Sequence, residues 1–152
     1  MSDDLTPEQQ KVLRAASNRF KTWEMPEIPD GKPTKFGWIV RHPENLALAP
    51  NTDIGAFTYI QALNGVTIEE GVQIGSHVSI YTISTINDKQ GPVVLKRNCK
   101  IGSHATIMPG VTIGEDSVVG VYCYVTEDVP PKTQVFRRQE LTRAPISNLK
   151  AP

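Results

Sequence analysis

A chain of 152 residues with 16 basic and 16 acidic side chains has no formal net charge, which argues against nucleic-acid binding driven by bulk charge. The length suits one domain with a real core, and no run of eighteen apolar residues offers a membrane span. The opening MSDDLTPEQQ is polar and acidic rather than signal-like, so the expected location is cytoplasmic.

In chain order, residues 7–21 predict a helix. Thr6 is the N-cap, Pro7 suits the first helical position and Gln9 completes a capping box. Val12, Leu13, Ala16 and Phe20 share one face, with Trp23 just beyond. The stretch EMPEIPDGKP, with three prolines and a glycine, is a linker. FGWIV then reads as a short strand or as a cap over the first coil of a repeat.

In that repeat an apolar residue returns every sixth position. Between residues 95 and 130 these are Leu95, Ile101, Ile107, Ile113, Val119 and Val125. Four places after the first five sit Cys99, Ala105, Val111, Ser117 and Cys123, and Gly102, Gly114 and Gly120 directly follow their aliphatics. A period of six fits neither an amphipathic helix nor an alternating strand. It predicts a parallel β-helix with three hexads per coil, the aliphatic pointing inward and the small residue filling the corner. The repeat begins at Leu48, with Thr52 at its small position, and runs through Ile54, Ile60, Ile68, Ile74, Ile80 and Ile86. Extra residues fall around Leu63–Gly65 and in the stretch from Asn87 to Pro92. Counting hexads stacks Leu48, Ile68, Ile86, Ile107 and Val125 on one face, Ile54, Ile74, Leu95 and Ile113 on a second, and Ile60, Ile80, Ile101 and Val119 on the third. Cys99 and Cys123 are not one coil apart and read as buried free thiols, and Ser84 as an inward small residue. After Pro130–Pro131 the repeat stops, and the basic, irregular tail is expected to wrap back over the coils.

The segment IGSHATIMPGVTIGEDSVVGVYCYVTEDVPP, residues 101–131, resembles the closing coils of the hexapeptide-repeat acyltransferases, sugar O- and N-acetyltransferases among them. The resemblance implies an all-β fold, a left-handed parallel β-helix over residues 46–131. Residues 1–45 would form the N-terminal helix, linker and cap, and 132–152 the irregular tail. It also implies an acyl-CoA co-substrate such as acetyl-CoA, a homotrimer with sites between adjacent prisms, and a sugar acceptor. A nucleotide-linked amino sugar for surface polysaccharide synthesis is the preferred acceptor. No metal, nucleic acid or membrane insertion is implied.

Acyl transfer needs a group to take the acceptor's proton and donors for the CoA phosphates. The chain has three histidines. His77 and His104 recur in a twin Ile-Gly-Ser-His motif, three places after an inward isoleucine, and so should face outward. Both are catalytic candidates, with Asp88 as a third. Many relatives carry a histidine in the loop before the closing coils, whereas TISTINDKQGP has none. That departure favours substrate-assisted attack by a sugar amine, aided by His77 or Asp88. Asn87 and Tyr81 are assigned to the acceptor by the resemblance, and Ala105 and Gly120 to the CoA, whose phosphates could use either of two basic clusters, the first being Arg137 and Arg138. Lys96, Arg97 and Lys100 form another basic edge. Two rival classes remain: a γ-carbonic-anhydrase-like zinc enzyme and a non-catalytic scaffold. The zinc site needs three converging histidines. Here His77 and His104 are read at different corners and His42 outside the repeat.

Overall fold

The computed structural model describes residues 5–17, 20–138 and 145. The first helix, α1, spans Pro7–Ser17 and carries the expected capping box. Thr6 N–H donates to Gln9 Oε1 at 2.8 Å, and Gln9 N–H returns to Thr6 Oγ1 at 3.2 Å. The helix stops short of the expected residue 21, residues 18–19 lie outside the described residues, and Val12 and Leu13 stay exposed rather than packing on the coils.

The rest is a three-sided prism of short parallel strands. The first coil holds β1 (Ile39–Arg41), β2 (Leu46–Leu48) and β3 (Asp53–Ile54). The second holds β4 (Tyr59–Gln61), β5 (Val66–Ile68) and β6 (Gln73–Ile74). The third holds β7 (Ser79–Tyr81), an antiparallel hairpin of β8 (Ile83–Ser84) and β9 (Lys89–Gln90), β10 (Val93–Leu95) and β11 (Lys100–Ile101). The fourth holds β12 (Thr106–Ile107), β13 (Thr112–Ile113) and β14 (Val118–Val119), followed by β15 (Tyr124–Val125) and β16 (Gln134–Val135). Strands β1, β4, β7, β12 and β15 stack as the first face, β2, β5, β10 and β13 as the second, and β3, β6, β11, β14 and β16 as the third. FGWIV therefore supplies a rung of the first face, one strand before the expected start. One more rung, β16, follows the prolines. The proposed wrapping of the tail falls mostly on residues outside the described ones.

The register corrects the predicted faces. Ile80 pairs with Ile60 and Ile107, Leu95 with Ile68 and Ile113, and Ile101 with Ile74 and Val119. Ile86 belongs to no rung: it sits at the hairpin tip, 97% exposed. Ser84 is likewise in the hairpin, and Thr82 fills the corner instead, fully buried. Counting Ile86 as a hexad rotates the N-terminal coils against the C-terminal ones. On the first face, successive strands are 20, 20, 27 and 18 residues apart. Every residue beyond eighteen leaves at the one corner between the first and second faces.

Inside the prism the small position works as expected. Cys99, Ala105, Val111, Ser117 and Cys123 are all buried. Buried hydroxyls find partners on the neighbouring coil: Thr58 Oγ1 donates to Gly75 O at 2.9 Å and Ser117 Oγ to Pro130 O at 2.6 Å. Gly102 is required by close approach, since a Cβ there would lie 2.6 Å from Val121 N. The N-terminal opening is closed by Trp38 and by Trp23, whose Nε1–H donates to Thr52 O at 2.9 Å. Cys99 and Cys123 are unbridged, and burial with the nearby Glu69 charge pushes the Cys99 thiol up to about 12.

This packing sets three expected outcomes. Ile107→Asp should abolish soluble folding, because an unpaired charge would enter the prism, whereas Ile86→Asp should move stability by no more than about 0.5 kcal/mol in urea unfolding. Gly102→Ala should cost about 1–3 kcal/mol, read as a fall in Tm of about 2–12 °C. Above pH 9 the unfolded Cys99 thiol ionises while the folded one keeps its proton until about 12, so the folded state loses stability as pH rises through that window. Cys99→Ala should therefore show a shallower alkaline decline than the parent chain, by up to about 1.4 kcal/mol per pH unit.

Candidate functional site

At two of the three corners each turn is made by one residue in the left-handed region, three places after an inward aliphatic. At the corner between the second and third faces this residue is Asn51, Gly71, Asn98, Asp116 or Lys132, mostly types that tolerate positive φ. At the corner between the third and first faces it is Phe57, His77, His104 and Tyr122, with φ of 64°, 56°, 61° and 58°. Bulky rings in this conformation are costly, and such strain concentrates at functional sites.

One ring per coil at one corner produces a column. The Phe57 and His77 centroids are 4.9 Å apart, His77 and His104 are 4.6 Å apart, and His104 and Tyr122 are 4.9 Å apart. The last two pairs are within 10° of parallel. Each N–H of the column is fixed to the coil before, as His77 to Ala56 O and His104 to Ser76 O, both at 3.1 Å. Both faces of each imidazole are thereby covered, and the ring edges with their nitrogens are what an outside group can reach. The expected separation of His77 and His104 onto different corners is overturned. Once the hairpin is removed from the hexad count, they stand one coil apart in one stack. Phe57 and Tyr122 were not singled out in the sequence, although the same spacing from Ile54 and Val119 marks them.

Beside the column, Gly75, Gly102 and Gly120 leave the third face without side chains near the corner. A shallow groove runs there across three coils, with Gln73 and Lys100 on its far side and Ser103 and Val121 near the column. Lys100 is thus the member of the basic edge that meets this groove. Lys96 is turned to Glu69 instead, Nζ to Oε1 at 3.3 Å, and Glu69 also accepts from Arg97 N–H at 2.8 Å. Gly120 lies in the glycine column, its N–H donating to Val135 O at 2.7 Å, while Ala105 packs inside the prism. Arg137 and Arg138 are exposed just beyond β16.

Asn87 and Asp88 are exposed in the hairpin turn, where Asp88 takes a φ of 55° and Asn87 Oδ1 accepts from Lys89 N–H at 3.4 Å. Tyr81 ends β7, its ring 6.0 Å from that of Tyr59. The hairpin leaves at the far edge of the first face, so one chain does not bring Asp88 and Asn87 to the histidines. His42 lies outside the column, Nδ1 3.4 Å from Glu44 Oε1. Among the described residues no group of three or more His, Cys, Asp or Glu side chains is placed to hold a metal ion.

Stacking makes the column visible in solution. The ring protons of His77 and His104 should resonate upfield of their unfolded values, and Tyr122→Leu should move the His104 signals more than the His77 signals. Unshifted imidazole resonances in the folded chain would contradict the stack.

Comparison with known proteins agrees with this architecture. Residues 92–127 match the family model described as bacterial transferase hexapeptide (six repeats). A Staphylococcus aureus (strain Mu50) protein that bears an acetyltransferase name is 34% identical over 102 residues, 64% of this chain and 51% of its own length. The chain thus spans about half the length of the named relatives it matches. A hexapeptide-repeat acetyltransferase from Vibrio cholerae, solved with acetyl coenzyme A, superposes with a TM-score of 0.62 at 28% identity, covering 66% of this chain and 60% of that one. A maltose O-acetyltransferase from Clostridium difficile gives 0.61 at 26%, covering 66% and 59%. Over residues 92–127 the chain thus carries the hexapeptide repeat that this family model describes, on a parallel β-helix similar to those of these acetyltransferases.

Proposed function

We propose that the chain is an acyl-CoA-dependent transferase that moves an acyl group, acetyl in the simplest case, to an amine or hydroxyl of a sugar. The single observation that carries this reading is the stacked His77–His104 pair at the edge of a glycine-lined groove. The V. cholerae relative, solved with acetyl coenzyme A, supports the donor. The maltose O-acetyltransferase supports a sugar acceptor. The groove would take the extended arm of the donor, and Lys100, with Arg137 and Arg138 beyond it, would meet the phosphates. The acceptor atom attacks the thioester carbonyl, the carbon–sulfur bond breaks, and the thiolate leaves. An imidazole nitrogen of the pair takes the acceptor's proton and returns it to the sulfur.

Asp88 and Asn87 stand across the first face from the histidines of the same chain. In this reading a homotrimer completes the site, the hairpin of one prism reaching the column of the next. An amine acceptor that arrives deprotonated needs no indispensable base, which favours a nucleotide-linked amino sugar. An acyl-CoA donor places the reaction in the cytoplasm.

The test is thiol release from acetyl-CoA against a panel of amino and neutral sugars, free and nucleotide-linked. His77→Ala and His104→Ala should each lower turnover about 10–1000-fold, within or below the usual contribution of one acid–base group. With an amine acceptor the loss should shrink as pH rises and more free amine forms. Complete loss at every pH in one variant, with CoA binding intact, would show an obligatory histidine base and a hydroxyl acceptor. A stable monomer by light scattering would remove the shared site.

A further inference from the structure

A second concave site lies at the N-terminal end of the prism, where the cap meets the first coil. Here Trp23, Phe36 and Trp38 line a cavity of about 240 Å³, together with Glu24, Lys35 and Asp53. Its walls are fixed. The Trp23 indole is anchored to the Thr52 carbonyl 29 residues away, and the turn carrying Lys35 and Phe36 is closed by Gly37 N–H to Thr34 O at 2.9 Å. Thr34 N–H in turn donates to Trp38 O at 2.9 Å, and the Lys35 ammonium sits 5.0 Å from the centre of the Phe36 ring. A solenoid end needs a cap that covers the apolar interior and turns a polar face to water, and neither demand calls for a cavity. This one instead keeps aromatic walls around an open space and sets charged groups at its rim.

We infer that this cavity binds a non-phosphorylated pyranose, at a place separate from the histidine column. A sugar ring offers an apolar C–H face to aromatic walls and hydroxyls to charged groups at a rim, and this cavity presents that combination. Its charge selects among sugars. Glu24 and Asp53 outnumber Lys35, so a phosphate would meet net negative charge, whereas a neutral or amino sugar would not. Asp53 lines both this cavity and the third-face groove, so the two concavities adjoin at that residue. A ring held here would belong to a saccharide lying toward the same face.

Tryptophan emission tests it directly, because the chain has two tryptophans and both line the cavity. Titration of the whole chain with D-glucosamine and with D-galactose should shift the emission saturably, with midpoints of about 0.1–10 mM. Glu24→Gln, at the exposed rim, should raise the glucosamine midpoint about 10-fold or more with Tm unchanged, as loss of a charged partner does. Glucose 6-phosphate should bind at least about 10-fold more weakly than galactose. No saturable shift with either sugar, the same shift with the open-chain polyol sorbitol, or a parent-like midpoint in Glu24→Gln would overturn the proposal. Equal binding of glucose 6-phosphate would overturn its charge selection. Because the readout is binding, a chain without transferase activity could still support the site, and an active one could still refute it.

Discussion

The stacking of successive coils at the distance of one β-ladder step, about 4.8 Å, governs this molecule. Backbone hydrogen bonds along the prism hold that spacing, so every position in a coil is repeated directly above itself. The interior has room for one aliphatic and one small residue per side. Wherever a side chain would intrude on the next coil, glycine is required, as at Gly102. The ring column obeys the same spacing: separations of 4.6–4.9 Å are the coil step read out by aromatic side chains.

That regularity is why the fold is legible in the sequence. A strict hexad with small corner residues has no competing explanation in helices or ordinary strands, and the buried state of Cys99, Ala105 and Ser117 agrees with it. Phase is the fragile part. Ile86 is an aliphatic six residues after Ile80, so it passes for a rung. Only hydrogen-bond register shows that the chain leaves the prism after Thr82 and returns at Val93. One false rung is enough to assign His77 and His104 to different corners. The helix face of Val12 and Leu13 misleads for another reason: amphipathic spacing gives a face but names no partner.

The site combines what repetition makes easy with what it makes costly. A groove beside a glycine column is a natural product of the fold. Four rings in the left-handed region are not, since the equivalent positions at the neighbouring corner are filled mainly by Asn, Asp and Gly. Covering both imidazole faces limits approach to the ring edges. The hairpin that carries Asn87 and Asp88 is the one large departure from the repeat. It stands a full face away from the histidines, so a site using both must draw them from different chains.

The central claim is that the histidine column and the groove beside it form the acyl-transfer site. Its most direct test is a crystal structure of the chain soaked with acetyl-CoA. The account predicts the donor's arm along the third face, its phosphates toward Lys100 or Arg137 and Arg138, and its thioester within hydrogen-bonding reach of a His77 or His104 ring edge. Acetyl-CoA bound on another face, with the column untouched, would contradict it.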